Sequence, residues 1–430
     1  MLTNQTNFYS ERKNCRICRS TIESINSLGD LASSGTFPSK TNDFVPTGPL
    51  TLGKCSKCGL VQLCHDFDKK ILYTDQYGYR SGINETMVTH LKTLAKDVLD
   101  KYNKSSKFNS QDKLNNSISI TLVDIGSNDA TFLNEIHRIA EHKCKLIGID
   151  PSAQQFMELY EYSGISLQTE LFSAEVANSS LNGVKANIIT SIAMFYDLED
   201  PVKFAAEISQ ILDPEGFWVL EQSYLPLMLK QNAFDTICHE HLEYYTLNDI
   251  INICEKVGLR VFDIELNSSN GGSFRLYVSH ESSKTHTVSS NVIKVLDAEK
   301  HIVNERDSLD KFFTNILQIK EQCILELNQL TSKGLRIHGY GASTKGNTLL
   351  QYFGINKDLI PVIAERNSKK FGKFTPNTHI KIISEAESRA IRPDFFFVLP
   401  WHFKSSIMDR EKLIRMDQKF IFPLPQFEII

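Results

Sequence analysis

Apolar and polar positions follow two rhythms along the chain. Residues 118–124, 146–150, 188–192 and 216–221 are short apolar runs of the length of buried strands. Residues 86–102, 131–142 and 153–161 instead carry apolar positions at helical spacing. The polar stretch 104–116 predicts a loop, and 271–279 predicts a closing strand. Strands alternating with helices imply a parallel, doubly wound sheet. From 291 to 330 apolar residues such as Val292, Leu296, Phe313, Ile316 and Leu327 predict one or two long helices. A second alternating unit opens with a strand at 335–339, a glycine-rich turn and a helix, followed by strands at 362–364 and 395–399.

The first 75 residues differ, with only short strand-like pieces at 49–52 and 60–63. A unit this small buries little surface without a staple. The pattern thus predicts four parts: 1–75, an α/β unit over 76–285, a helical linker over 286–330 and a second α/β unit over 331–430.

A chain of 430 residues agrees with several cores. The net charge of −4 supplies no basic field for a nucleic-acid backbone, so no nucleic-acid partner is expected. The polar N-terminus and the lack of a long apolar run predict a cytoplasmic protein with no membrane partner. Separate folded units suggest a monomer. Nine cysteines, an odd number, fit a reducing compartment better than a disulfide framework.

Four of those cysteines form two C-x-x-C pairs, Cys15/Cys18 and Cys55/Cys58. Each pair presents two thiolates to one tetrahedral ion, and zinc suits such a set. The long gap between the pairs favours a structural knuckle over a nucleic-acid finger. Cys64, Cys144, Cys254 and Cys323 look like small core residues.

The segment from Leu122 through Asp124, Gly126, Ser127, Asn128 and Asp129 is a buried strand turning sharply into a helix. Gly126 lets a ligand approach bare backbone. The next strand ends at Asp150, a carboxylate suited to ribose hydroxyls. The turn is not G-x-G-x-x-G, and Asp129 opposes a pyrophosphate. A cationic ligand such as S-adenosylmethionine tolerates acidic neighbours; another nucleotide, or a purely structural turn, is the alternative.

Residues 235–245 gather His239, His241, Asp235, Glu240, Glu243, Tyr244 and Tyr245. On an extended segment His239 and His241 would face one side, and a histidine beside a carboxylate is a natural general base. Further on, Tyr340, Gly341, Ala342, Ser343 and Lys345 lie on a glycine turn that opens a helix, an anion-binding arrangement. Lys345 would offer its charge to a diphosphate, with Glu365 and Arg366 as nucleoside contacts. Trp401 and His402 read as edge packing, outside the site. A zinc-containing nicotinamide oxidoreductase, with Glu365 as its acidic residue, is the rival reading.

In order, these motifs resemble the three-domain C-methyltransferases of deoxysugar biosynthesis. The likeness includes the cysteine pairs, the segment Tyr77-Gly-Tyr79-Arg-Ser-Gly, the IGSND turn, HEH, Gly271-Gly-Ser-Phe-Arg-Leu-Tyr277 and Gly339-Tyr-Gly-Ala-Ser-Thr-Lys-Gly346. The resemblance implies a class I methyltransferase middle domain between a small zinc-binding domain and a C-terminal Rossmann-like domain. It implies S-adenosylmethionine as methyl donor, with Tyr77 in its site. The substrate class is a TDP- or GDP-linked 4-keto-6-deoxysugar, methylated through an enolate, with C3 favoured. His241 matches the base, with Glu240 and His239 beside it and Tyr79 near the ketone. Two positions depart from the family pattern. Cys238 stands where members often have tyrosine, leaving that donor absent or supplied by Tyr244 or Tyr245. The stretch around Phe195 and Tyr196 lacks a histidine that members carry.

Overall fold

The computed structural model describes residues 8–72, 80–105, 120–140, 144–161, 163–303 and 308–430. The apolar runs of the middle part pair into seven strands: β1 (Ile120–Ile125), β2 (Cys144–Ile149), β3 (Ser166–Gln168), β4 (Ala186–Ile192), β5 (Leu212–Ser223), β6 (Leu259–Asn267) and β7 (Ser273–His280). Their spatial order is β6-β7-β5-β4-β1-β2-β3. The pairs among β1 to β5 are parallel, while β7 runs antiparallel between β5 and β6. Every residue of β1 is buried because both faces are covered. Leu122 packs with Phe132, Leu133 and Leu94 on one face. Val123 packs with Ala177, Leu181 and Ile208 on the other. The order reverses between β1 and β4, which opens a crevice at the carboxyl ends of the strands.

The C-terminal part repeats the plan with six strands: β8 (Ile337–Tyr340), β9 (Val362–Glu365), β10 (Lys381–Ser384), β11 (Phe395–Val398), β12 (Lys419–Phe422) and β13 (Glu428–Ile429). Their order is β10-β9-β8-β11-β12-β13, so a second crevice opens above β8 and β11. The segment read as a linker divides between two cores. Helix Ser290–Val303 contributes Val292 to the middle core, and helix Ser308–Ser332 contributes Phe312, Phe313, Ile316 and Leu327 to the C-terminal one. The helix read at 153–161 starts as a 3-10 turn, Pro151–Phe156, because Asp150 accepts the Ser152 N–H and Pro151 fixes the entry.

The N-terminal sheet consists of Ile22–Ala32, Thr47–Cys55, Val61–Leu63 and a fourth strand from the middle part, Glu243–Tyr244. Glu243 pairs with Gln62 and Tyr244 with Val61, and the Leu63 N–H donates to the Leu242 carbonyl at 2.9 Å. The histidine cluster is therefore pinned to the N-terminal sheet by the residues that follow it. The C-terminal part grips the same sheet. Gln351 exchanges two hydrogen bonds with the Ala32 backbone, and Asn347 Nδ2 donates to the Ser34 carbonyl. Among the described residues, no helix is long and apolar enough to cross a membrane.

Candidate active site at the junction of the three domains

The two C-x-x-C pairs converge. Sγ of Cys15 lies 3.5 Å from that of Cys58, and Sγ of Cys18 lies 3.3 Å from that of Cys55. All four sulfurs fall within 4.8 Å of one another. Four thiolates around zinc stand roughly 3.8 Å apart, as Zn–S bonds near 2.3 Å in a tetrahedron require. Backbone N–H groups of Ile17, Lys57 and Cys58 point at these sulfurs, each at 3.4 Å, as anionic ligands in a tight knuckle need.

A cavity of about 330 Å³ opens at the carboxyl ends of β1, β2, β4 and β5. Gly126 adopts φ +77°, and a Cβ there would come 3.1 Å from the Met194 side chain, so glycine keeps the floor open. The Asn128 N–H donates to one Asp150 oxygen at 2.8 Å and the Ser152 N–H to the other at 2.7 Å. Each carboxylate oxygen retains a lone pair at the cavity wall. Ser127 accepts from the Tyr160 hydroxyl. Asp124 braces β1 to β4 through Thr190 at 2.6 Å, and burial pushes its carboxyl up to about 7. Asp129 is less of an obstacle to an anion than its sequence position suggests. It takes the Thr131 hydroxyl, the Gly82 N–H and Arg80 Nε at 3.0 Å, so its charge is matched.

His90 and Glu221 complete this wall, with Arg275 behind Glu221, and nothing in the sequence joined the three. Glu221 pairs with His90 and takes Arg275 Nε at 2.7 Å. Burial alone would raise the Glu221 pKa, but these two partners hold it below its ordinary range. The available signals were a carboxylate ending the strand 216–221 and an arginine inside the GGSFRLY segment.

A second cavity, about 310 Å³, lies between the middle and C-terminal sheets. It shares Met87, Ala193, Asp197 and Asn270 with the first, so the two adjoin. His241 faces it. Its Nδ1 lies 2.8 Å from the Thr236 carbonyl, and a carbonyl only accepts, so Nδ1 carries the hydrogen and Nε2 keeps its lone pair. Burial, then the Lys345 charge, pull its pKa down to about 3. The imidazole is neutral and held against the Tyr196 ring at 4.2 Å. Glu240 also lines this cavity; burial raises its pKa, and its carboxylate rests against Ser34 and Gly35 of the N-terminal domain.

Several expectations change. His239 and His241 do not face one side, because the Cys238–His241 segment is a turn rather than a strand. His239 points into the N-terminal domain, with Nε2 3.2 Å from the Gly48 carbonyl and Phe67 packed edge-on. It lines neither cavity. Tyr244 donates back to the His241 carbonyl and Tyr245 is buried beside Phe195, so among the described residues the middle-domain phenol lining the cavity is Tyr196. Tyr77 and Tyr79 lie outside the described residues.

On the C-terminal side Tyr340, Gly341, Ala342, Ser343, Lys345, Glu365 and Arg366 all line the second cavity. Several of them also have partners within the chain. Glu365 is occupied by the N–H groups of Ala342, Arg366 and Asn367 at 2.7, 2.7 and 2.8 Å, so it shapes the glycine turn. The nicotinamide reading relied on that carboxylate. The Tyr340 hydroxyl is held by Glu385 and Glu411, and Arg366 pairs with Glu385 at 3.3 Å. Lys345 does not stand at the helix mouth; its ammonium is buried against the Asn270 carbonyl at 2.9 Å. His402, read as edge packing, lines the cavity, and burial together with Lys345 lowers its pKa to about 3. Trp401 clamps the junction by donating to Asp235 at 2.9 Å.

Three family models match consecutive regions: "Putative zinc binding domain" over 15–73, "Methyltransferase domain" over 87–264 and "C-methyltransferase C-terminal domain" over 268–425. C-methyltransferase NovU of Streptomyces niveus is 27% identical over 390 residues, 89% of this chain and 87% of that one. A tRNA U34 carboxymethyltransferase of Campylobacter lari is 26% identical over 107 residues, 24% of this chain and 35% of that one. Among solved structures, a SAM dependent methyltransferase from Aquifex aeolicus covers 44% of this chain and 97% of its own, at 16% identity and a TM-score of 0.30. The three regions in chain order, with the NovU alignment across them, show a methyltransferase that joins a zinc-binding domain, a methyltransferase domain and a C-methyltransferase C-terminal domain.

Proposed function

We propose that this enzyme moves a methyl group from S-adenosylmethionine to a carbon next to the ketone of a nucleoside-diphosphate-linked 4-keto-6-deoxysugar, C3 being the favoured position. One observation carries the reading. Two cavities of similar size adjoin, and a neutral imidazole with a free Nε2 faces the second. That arrangement suits a reaction in which a proton is taken from a carbon on one side and a methyl arrives from the other.

The first cavity fits the donor chemically. Asp150 presents acceptors for a ribose, Gly126 leaves bare backbone, and the buried acids of the wall tolerate a cation. S-adenosylmethionine bound there supplies an electrophilic methyl carbon on a sulfonium. His241 then holds the proton at Nε2, and the Thr236 carbonyl steadies the resulting imidazolium through Nδ1–H. The glycine turn before helix Thr344–Phe353, with Arg366 and Arg410 along the same wall, would receive the diphosphate. The keto-sugar assignment rests on the motif resemblance, and the geometry supports its chemistry.

Incubation of the protein with S-adenosylmethionine and a panel of thymidine- and guanosine-diphosphate 4-keto-6-deoxysugars tests it by mass spectrometry. A gain of one methylene in a sugar nucleotide is expected. No gain across the panel would overturn the substrate class.

A further inference from the structure

Lys345 sits in the first turn of helix Thr344–Phe353, yet it reaches away from the glycine turn and into the junction. Its Nζ donates to the carbonyl of Asn270, a residue that lines both cavities. An ammonium carries three donors, and among the described residues only this carbonyl takes one of them. Among the described residues no carboxylate approaches it within 4.0 Å, the ion-pair distance. The carboxylate whose charge acts on it is Asp235, which takes the Trp401 indole instead. A buried cation without an anionic contact is costly unless an anion arrives to meet it. The same charge acts on His241, Cys238 and His402, so it sits within the same chamber as the base.

We propose that Lys345 is the oxyanion-stabilising group of the reaction, its ammonium meeting the ketone oxygen of the sugar as the enolate forms. This rests on the function proposed above. In the step, the C–H bond next to the ketone breaks and its proton passes to His241 Nε2. The bond pair becomes the new C=C, and the carbonyl π pair moves to oxygen, giving an enolate beside Lys345. The enolate carbon then bonds to the methyl carbon, whose old bond pair stays on sulfur as a thioether, and the ketone reforms. A neutral base and a fixed cation are complementary here. The base is free to accept a proton at neutral pH, and the negative charge develops where a donor already points. Asn270 holds that donor at the boundary between the cavities, where the acceptor carbon and the methyl must meet.

The test uses Lys345→Gln, which keeps a donor for the Asn270 carbonyl without the charge, alongside Lys345→Met and Lys345→Arg. Wash-in of deuterium from heavy water at the carbon next to the ketone is followed by NMR on thymidine- and guanosine-diphosphate 4-keto-6-deoxyglucose. Methyl transfer, KM for the sugar nucleotide and binding of S-adenosylhomocysteine are measured in parallel. For the Gln and Met variants, exchange and kcat should fall together by about 10²–10³-fold, as for removal of an oxyanion donor. KM and S-adenosylhomocysteine binding should change little, and Lys345→Arg should retain part of the rate. A Gln variant that exchanges and methylates near the wild-type rate overturns the proposal. So does a raised KM with kcat intact, which would return Lys345 to the diphosphate. If the wild type neither exchanges nor methylates any probe, the substrate reading fails first and carries this inference with it. Binding of S-adenosylhomocysteine with an unchanged melting temperature shows that a variant is folded.

Discussion

Arg16 Nε lies 3.6 Å from a carboxylate oxygen of Glu243, and both side chains are shut off from solvent. Arg16 stands between zinc-ligand positions Cys15 and Cys18, and Glu243 stands two residues beyond His241. The zinc knuckle is thereby coupled to the segment bearing His241, the proposed base. Arg16 also donates to the Leu63 carbonyl at 2.8 Å, the His65 carbonyl at 2.9 Å and Asp66 at 2.6 Å. Arg16→Met would strand all of these acceptors. We expect it to cost about 3–5 kcal/mol, as removing one partner of a buried pair does, read by denaturant unfolding. A loss under 1 kcal/mol would show that the hub is dispensable.

Removing a sulfur should act through the same route. Cys58→Ser is expected to lose zinc, measured by atomic absorption, and to melt earlier than the parent. Activity should fall with it, because strand Val61–Leu63 carries Glu243 and Tyr244 in register. Undiminished zinc content in the variant would count against the four-sulfur site.

His241→Asn removes the free lone pair and leaves a side chain able to donate to the Thr236 carbonyl. Turnover should drop about 10²–10⁴-fold, the usual worth of a general base, with S-adenosylhomocysteine binding unaltered. Near-normal methylation would move the base elsewhere.

For the cavity proposed to take the methyl donor, Asp150→Ala discards the acceptor that organises Asn128 and Ser152. Loss of hydrogen bonds to a charged group costs about 1.5–3 kcal/mol. Calorimetric titration of S-adenosylhomocysteine should therefore show an affinity lower by about tenfold or more. Equal affinity would place the ribose elsewhere.

His239 predicts a pH effect on stability. Burial lowers its pKa from 6.5 to about 4. Between those values the unfolded chain binds the proton and the folded one does not. The contribution of this histidine is thus complete above pH 6.5 and is lost as pH falls toward 4. Buried carboxyls such as Asp124, raised to about 7, act with the opposite sign, so the comparison must be between His239→Gln and the wild type. Their difference in unfolding free energy should shift in favour of the variant by roughly 1.4 kcal/mol per pH unit below 6.5. A difference independent of pH would mean His239 titrates alike in both states.

Much was legible before any fold was known, and for one reason. The cysteine pairs, the turn at Gly126 and the glycine turn at Gly341 are set by neighbours a few residues apart, and local spacing dictates local geometry. The alternating runs likewise implied two doubly wound sheets, because a strand buried on both faces must be apolar throughout. What tertiary structure alone decided was the direction and occupancy of side chains. A turn at Cys238–His241 sent His239 into the N-terminal domain and left His241 at the cavity. Backbone amides closed around Glu365, and the approach of Asn270 drew Lys345 inward. His90, Glu221 and Arg275 met from a helix and two strands far apart in the chain. Such outcomes depend on which distant segment fills the space beside each group, and no periodicity along one chain encodes that partner.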